Sequence, residues 1–214
     1  MRTMSTDPYT LYARTNAGSL AVQIVLEEAG ARYSVEWIAR TEEALERYRR
    51  LNPAGKIPAL RLPSGTVMSE SAAILIYLAG AHPQAKLAPA PATGAYGTFL
   101  QWMVSLSANT YESALRYFYP ERYCASGAAG AADVKAQALG DYTRHLESAG
   151  GQLRPYLLGE EYSAADAYLY MLLGWYPEDL EALLKRVPAL ARHRQLLQAR
   201  PAVQRAERDH AEPA

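Results

Sequence analysis

Two short stretches carry groups suited to holding a peptide-like ligand. Pro58 follows Ile57 and precedes Ala59-Leu60-Arg61-Leu62, so it stands at a strand's first residue, where a missing N–H does least harm. An X-Pro bond at such a place can be cis, because proline's preference for trans is weak. A cis bond turns the N–H and C=O of Ile57 out of the sheet, where an extended peptide can pair with them as an added strand. Beyond a Pro63-Ser64-Gly65 turn, Glu70 and Ser71 fall at the first turn of an apolar helix over 72–81. Free N–H groups and the positive dipole end make that helix start a place for a carboxylate.

The surrounding chain supplies the elements that position these groups. Tyr9-Thr10-Leu11-Tyr12 reads as a strand and residues 14–18 as a loop, with Ser19 as N-cap of an apolar helix that ends at Gly30. Residues 33–38 alternate like a second strand, and residues 42–50 have helix-forming composition that Asn52-Pro53 terminates. The order is β-α-β-α-β-β-α, a thioredoxin-like layout with parallel pairing first and an antiparallel hairpin at its close.

A Pro- and Ala-rich stretch then serves as linker, and everything after it is expected to be helical. Long helices are expected over 96–119 and 133–158, the second loosened at Gly150-Gly151, with a small, flexible stretch over 124–132 between them. Ser163 and Asp166 form a capping box ahead of the run 167–175. Further helices are expected over 178–185 and 188–200. The expected class is α/β plus all-α: residues 1–82, a linker over 83–93, and a helical bundle over 94–214.

Composition narrows the function. Lys+Arg and Asp+Glu both number 22, and a balanced chain lacks the basic surplus of a nucleic-acid or membrane-surface protein. Cys124 is the single cysteine, which excludes an internal disulfide and suits a reducing compartment. Residues 1–10 hold no apolar segment of signal-peptide length, and a cytoplasmic protein is expected. His82, His145, His193 and His210 are scattered without metal-ligand spacing, and no Cys-x-x-Cys or phosphate-binding glycine motif occurs.

The stretch 52–81 resembles the glutathione-binding half of the glutathione S-transferases. The Ser163–Asp166 box and the closing Arg200-Pro201-Ala202-Val203-Gln204-Arg205 extend the resemblance over nearly the whole chain. In that family the residue before a cis-proline pairs with the cysteinyl part of glutathione, and a Glu/Gln-Ser pair at a helix start holds the γ-glutamyl part. The resemblance therefore implies glutathione as co-substrate, lying against Ile57, Pro58, Glu70 and Ser71, with Lys56 a further contact from the same loop. It also implies a homodimer.

A thiol of pKa about 8.5 is mostly protonated at neutral pH, so a glutathione enzyme must stabilise the thiolate. Ser19, at the start of the first helix, is the donor favoured by position, and it reads equally well as a plain N-cap. Thr15 and Asn16 are the alternatives, because a bacterial class with disulfide-reductase activity uses Thr and Asn in this loop. Residues 17–21 most resemble the beta class, yet the beta-class Cys position is Gly18, and its Asn and His positions fall on Val104 and Tyr111.

For the second substrate, the resemblance implies a pocket built by Tyr111, Arg116 and Tyr117 for a hydrophobic electrophile, although rings at these positions also suit helix packing. The implied reaction is attack of the glutathione thiolate on that electrophile. Glutathione-dependent disulfide reduction and a non-catalytic ligand- or partner-binding role are the alternatives.

Overall fold

The computed structural model describes residues 8–212, so residues 1–7 of the amino-terminal stretch read for a signal peptide lie outside the described residues. The chain divides into two compact units. The first holds the residues up to Ala88 together with those from Gln198 onward, and the second holds Pro89–Leu197.

In the first unit, β1 (Tyr9–Ala13), α1 (Ser19–Glu28), β2 (Tyr33–Trp37), α2 (Glu42–Arg49), β3 (Ala59–Arg61), β4 (Val67–Ser69) and α3 (Ser71–Ala81) follow the expected order. The sheet runs β2-β1-β3-β4, with β1 parallel to β2 and antiparallel to β3, and β3 antiparallel to β4. Leu11, Tyr12 and Ala13 are fully buried, and alternation along β1 sends Leu11 and Tyr12 to opposite faces of the sheet. Tyr12 joins Ile38, Tyr48 and Ala59 in a cluster to which Leu45, Ile57 and Val67 pack. The apolar faces of α1 and α3, including Val22, Leu26, Ile74 and Leu78, are buried and the two helices touch.

One element joins this unit from the far end of the sequence. Helix α10 (Pro201–Ala211, the last helix) packs on α1, whereas the bundle was expected to run through residue 214. The reason is ionic as well as apolar. Arg200 meets Glu28 through two bonds of 2.5 and 2.9 Å, Arg205 meets Glu27 at 2.6 Å, and Gln23 donates to Asp209 at 2.6 Å. Ala202, Val203 and Ala206 are buried alongside.

The second unit is helical. The single helix expected over 96–119 is instead α4 (Gly94–Ser105), a π-helical segment Leu106–Tyr111, and α5 (Glu112–Phe118). Helix α6 (Gly127–Gln152) begins earlier than expected, because four alanines among residues 127–132, the strongest helix former, outweigh the two glycines there. It also ends earlier, since Pro155 disfavours a helical conformation at Arg154. Gly150 does not loosen α6; a Cβ there would meet Val187 Cγ1 at 2.4 Å, so the glycine permits a close approach. Helices α7 (Ala164–Gly174), α8 (Leu180–Arg186) and α9 (Pro188–Gln198) complete the unit. Among the described residues, no helix is long and apolar enough to cross a membrane.

Candidate functional site

Strand register brings three segments to one end of the sheet. Tyr12 pairs with Ala59, and Ala59 pairs with Ser69, forming one row across β1, β3 and β4. The chain leaves β1 just beyond this row into residues 14–18, enters β3 from Ile57-Pro58, and leaves β4 into Glu70-Ser71. The candidate residues Thr15, Asn16, Ile57, Pro58, Glu70 and Ser71 are therefore gathered by the register itself.

The Ile57-Pro58 bond is cis and Pro58 is buried. The β3 ladder stops at Ala59, so Ile57 lies outside it, while its side chain packs on the Tyr12–Tyr48 cluster. Glu70 is exposed and precedes α3 with φ 67°, a backbone value uncommon for a residue with a side chain. Ser71 is the first residue of α3 and is buried. The first intrahelical bond runs from Ile74 N–H to Glu70 C=O, so the positive end of the α3 dipole lies at Ser71. Backbone strain at Glu70 and Asn16 (φ 52°) marks both ends of the row.

Two residues outside the expected set hold the loop ahead of Ile57. The Tyr48 hydroxyl donates to the carbonyl of Lys56 at 2.7 Å, and the Asn52 amide donates to the same oxygen at 2.8 Å. Both side chains are buried, and burial pushes the Tyr48 phenol above its ordinary pKa, keeping it a donor. Asn52 reads in sequence only as a helix terminator. Tyr48, the one buried residue of the charged helix α2, was the available signal. The Lys56 side chain itself is exposed.

Ser19 is not the N-cap of α1. Gly18 occupies that position, and Ser19 is the first helical residue, fully buried. Its hydroxyl donates to Arg14 C=O at 2.9 Å and accepts Arg14 N–H at 3.2 Å, closing the loop on itself. The Arg14 guanidinium in turn donates from Nε to Ile38 C=O at 3.1 Å. Within the loop Thr15 is half-buried and Asn16 exposed. Thr15 and Asn16 stand in the loop between the end of β1 and the start of α1.

The residues expected to serve a second substrate lie in the second unit. Tyr111 closes the π-helical segment and packs against Tyr168 and edge-on to Trp175. Arg116 pairs with Asp141 at 3.3 Å and reaches the Ser113 hydroxyl at 3.3 Å. Tyr117 donates to Glu178 at 3.2 Å, with Lys135 Nζ 4.6 Å from its ring centroid. Among the described residues no three His, Cys, Asp or Glu side chains come together to hold a metal.

Comparisons with known proteins match this architecture. Residues 19–81 match the family model described as Glutathione S-transferase, N-terminal domain, and residues 111–201 match Glutathione S-transferase, C-terminal domain. Glutathione S-transferase GstA of Escherichia coli O157:H7 is 28% identical over 201 residues, covering 91% of this chain and 94% of that protein. A sphingomonad glutathione S-transferase solved in complex with glutathione is 31% identical with a TM-score of 0.82, covering 95% of this chain and 99% of that one. A glutathione transferase homologue from Sulfitobacter, solved with bound glutathione, is 26% identical with a TM-score of 0.85, covering 94% and 98%.

Proposed function

The chain belongs to the glutathione S-transferase family, and on that footing we propose that it binds glutathione at the Tyr12–Ala59–Ser69 end of the sheet and activates the thiol for attack on a hydrophobic electrophile. The observation that carries this is the register. It sets the segment entering β3, Ile57-Pro58, at the same end of the sheet as a helix start at Glu70-Ser71. The cysteinyl backbone adds to the edge at Ile57 as a short extra strand. The γ-glutamyl carboxylate takes the N–H groups and hydroxyl at Ser71, and Glu70 takes the ligand's ammonium group. Lys56 offers a cation to a further carboxylate.

The thiolate forms by loss of its proton to solvent, and its sulfur then bonds the electrophilic carbon while the electron pair moves to a leaving group or conjugated acceptor. The start of α1, with Thr15 and Asn16, stabilises the anion, and Ser19 holds their loop. The acceptor's recognition is assigned to Tyr111, Arg116 and Tyr117 of the second unit, in a homodimer acting in the cytoplasm. Glutathione-dependent disulfide reduction is the second reading. It is favoured by the commitment of the Ser19 hydroxyl to Arg14, which leaves Thr15 and Asn16 as the loop's polar pair.

A pH titration of the bound thiol, followed by thiolate absorbance in the ultraviolet, tests the proposal. Bound thiol that ionises well below about 8.5 is expected for a transferase. Binding without that shift favours the reductase reading, and no binding overturns both. Ser71→Ala should weaken glutathione roughly tenfold or more, since hydrogen bonds to charged groups are the stronger kind.

A further inference from the structure

We propose that Tyr48 and Asn52 are positioning residues that set the strand edge at Ile57 by holding the carbonyl of Lys56. The inference rests on the reading that glutathione's cysteinyl backbone pairs with Ile57. Three groups form a closed ring of hydrogen bonds: the Tyr48 hydroxyl and the Asn52 amide both donate to Lys56 C=O, and the Asn52 amide also donates to the Tyr48 oxygen at 3.3 Å. The Tyr48 hydroxyl accepts from Asn52 and donates to Lys56, so these two bonds form a chain in which one polarises the next, and the direct Asn52 bond closes it.

Asn52 is itself fixed at both backbone ends. Its N–H donates to Tyr48 C=O at 2.9 Å, and its C=O accepts Gly55 N–H at 2.8 Å. The turn between them needs φ of 64° at Gly55, where glycine carries no steric penalty. Residues 52–56 are therefore a template whose exit is aimed by one carbonyl. That carbonyl shares its planar peptide unit with the N–H of Ile57, which lies outside the ladder and whose side chain packs on the cluster containing Tyr48. With the side chain anchored on one side and the preceding carbonyl on the other, the Ile57 backbone is presented in one orientation before the ligand arrives. Pre-organisation of this kind acts on affinity for the paired segment, because the ligand does not have to order the edge.

Neither Tyr48 nor Asn52 is assigned contact with the ligand or its sulfur, so their effect should appear in binding and not in thiol activation. The test uses Tyr48→Phe and Asn52→Ala in the full chain, with Ser71→Ala alongside. Glutathione affinity is measured by calorimetry, the bound thiol's pKa at saturating glutathione, and the midpoint of thermal unfolding. Tyr48→Phe keeps the buried ring and deletes one donor, so it carries the test if Asn52→Ala fails to fold.

The expected result is affinity lower by roughly three- to tenfold in each folded variant, with the bound thiol's pKa unchanged. A lowered unfolding midpoint with unaltered affinity, while Ser71→Ala does weaken binding, would leave the ring a purely structural role and overturn the inference. A raised thiol pKa at saturation would overturn it as well, by placing the pair in activation. Unaltered affinity in all three variants would overturn the glutathione site itself.

Discussion

Ser19 and Arg14 hold each other through both backbone groups of the arginine: the serine hydroxyl gives its proton to Arg14 C=O and receives the Arg14 N–H. A hydroxyl has one proton, and here it is already committed. Ser19→Ala would delete both bonds to the half-buried Arg14 backbone, so it should lower the unfolding free energy by about 1–3 kcal/mol. Glutathione bound to that variant should still ionise below the free thiol's pKa, whereas Thr15→Val should raise the bound thiol's pKa. Unfolding in urea and thiolate absorbance measure the two effects separately. A Ser19→Ala protein of unchanged stability whose bound thiol titrates like free glutathione would assign sulfur activation to Ser19.

Ser19 also shows where local sequence signals stop being informative. A Ser before an apolar run fits an N-cap, and nothing nearby in sequence distinguishes capping the helix from stapling the preceding loop. The succession of elements along the chain was legible because alternation, the Pro58 strand start and the Pro63-Ser64-Gly65 turn are all local. The attachment of α10 to α1 was not, because it rests on pairs such as Arg200–Glu28 that are far apart in the chain. The candidate site divides in the same way. Ile57-Pro58 and Glu70-Ser71 are encoded by spacing, but the hold of Tyr48 and Asn52 on Lys56 depends on a carbonyl, which has no sequence signature.

Gly150 tests how tightly the second unit is packed. Its missing Cβ would stand 2.4 Å from Val187 Cγ1, closer than carbon atoms tolerate, and 3.0 Å from Leu190 Cγ, a tight contact. Gly150→Ala gains helix propensity within α6, worth about 1 kcal/mol in an exposed helix. Overpacking should outweigh that gain and leave the protein destabilised by about 1–3 kcal/mol. A stabilised Gly150→Ala protein in urea unfolding would show that the contact between α6 and the start of α9 yields readily.

Asp166 accepts four hydrogen bonds while fully buried: from Leu157 N–H at 2.8 Å, Ser163 N–H and hydroxyl at 2.9 Å each, and His193 Nε2 at 3.2 Å. The carboxylate ties the start of α7 to the loop before it and to α9. Asp166→Ala would remove the acceptor of all four bonds in the core, with an expected loss of roughly 3 kcal/mol or more, since each buried donor left unsatisfied costs about 1–3 kcal/mol. Asp166→Asn should lose less, because one acceptor oxygen survives. The residue lies in the second unit's core, so folded Asp166→Asn should retain its glutathione affinity. Equal stability of Asp166→Ala and the parent chain in denaturant would remove this network from the folding argument.

His210 makes the α10 attachment sensitive to acid. Its ring meets Trp37 edge-on at 5.0 Å, and burial pushes its pKa down to about 4 from the ordinary 6.5, only partly opposed by the nearby Asp209 carboxylate. A histidine lowered in the folded state binds its proton more readily when unfolded, so protonation favours unfolding. This contribution leaves stability intact above pH 6.5 and removes it progressively as pH falls towards about 4. The loss has an upper bound of about 3 kcal/mol, reduced by the solvent that still reaches the ring. His210→Phe keeps an aromatic edge against Trp37 and has no proton to gain. Unfolding free energies measured from pH 7 to pH 4 should therefore fall less steeply for His210→Phe than for the parent chain. Parallel pH profiles for the two proteins would mean that His210 titrates alike in the folded and unfolded states, and that the acid sensitivity belongs to other groups.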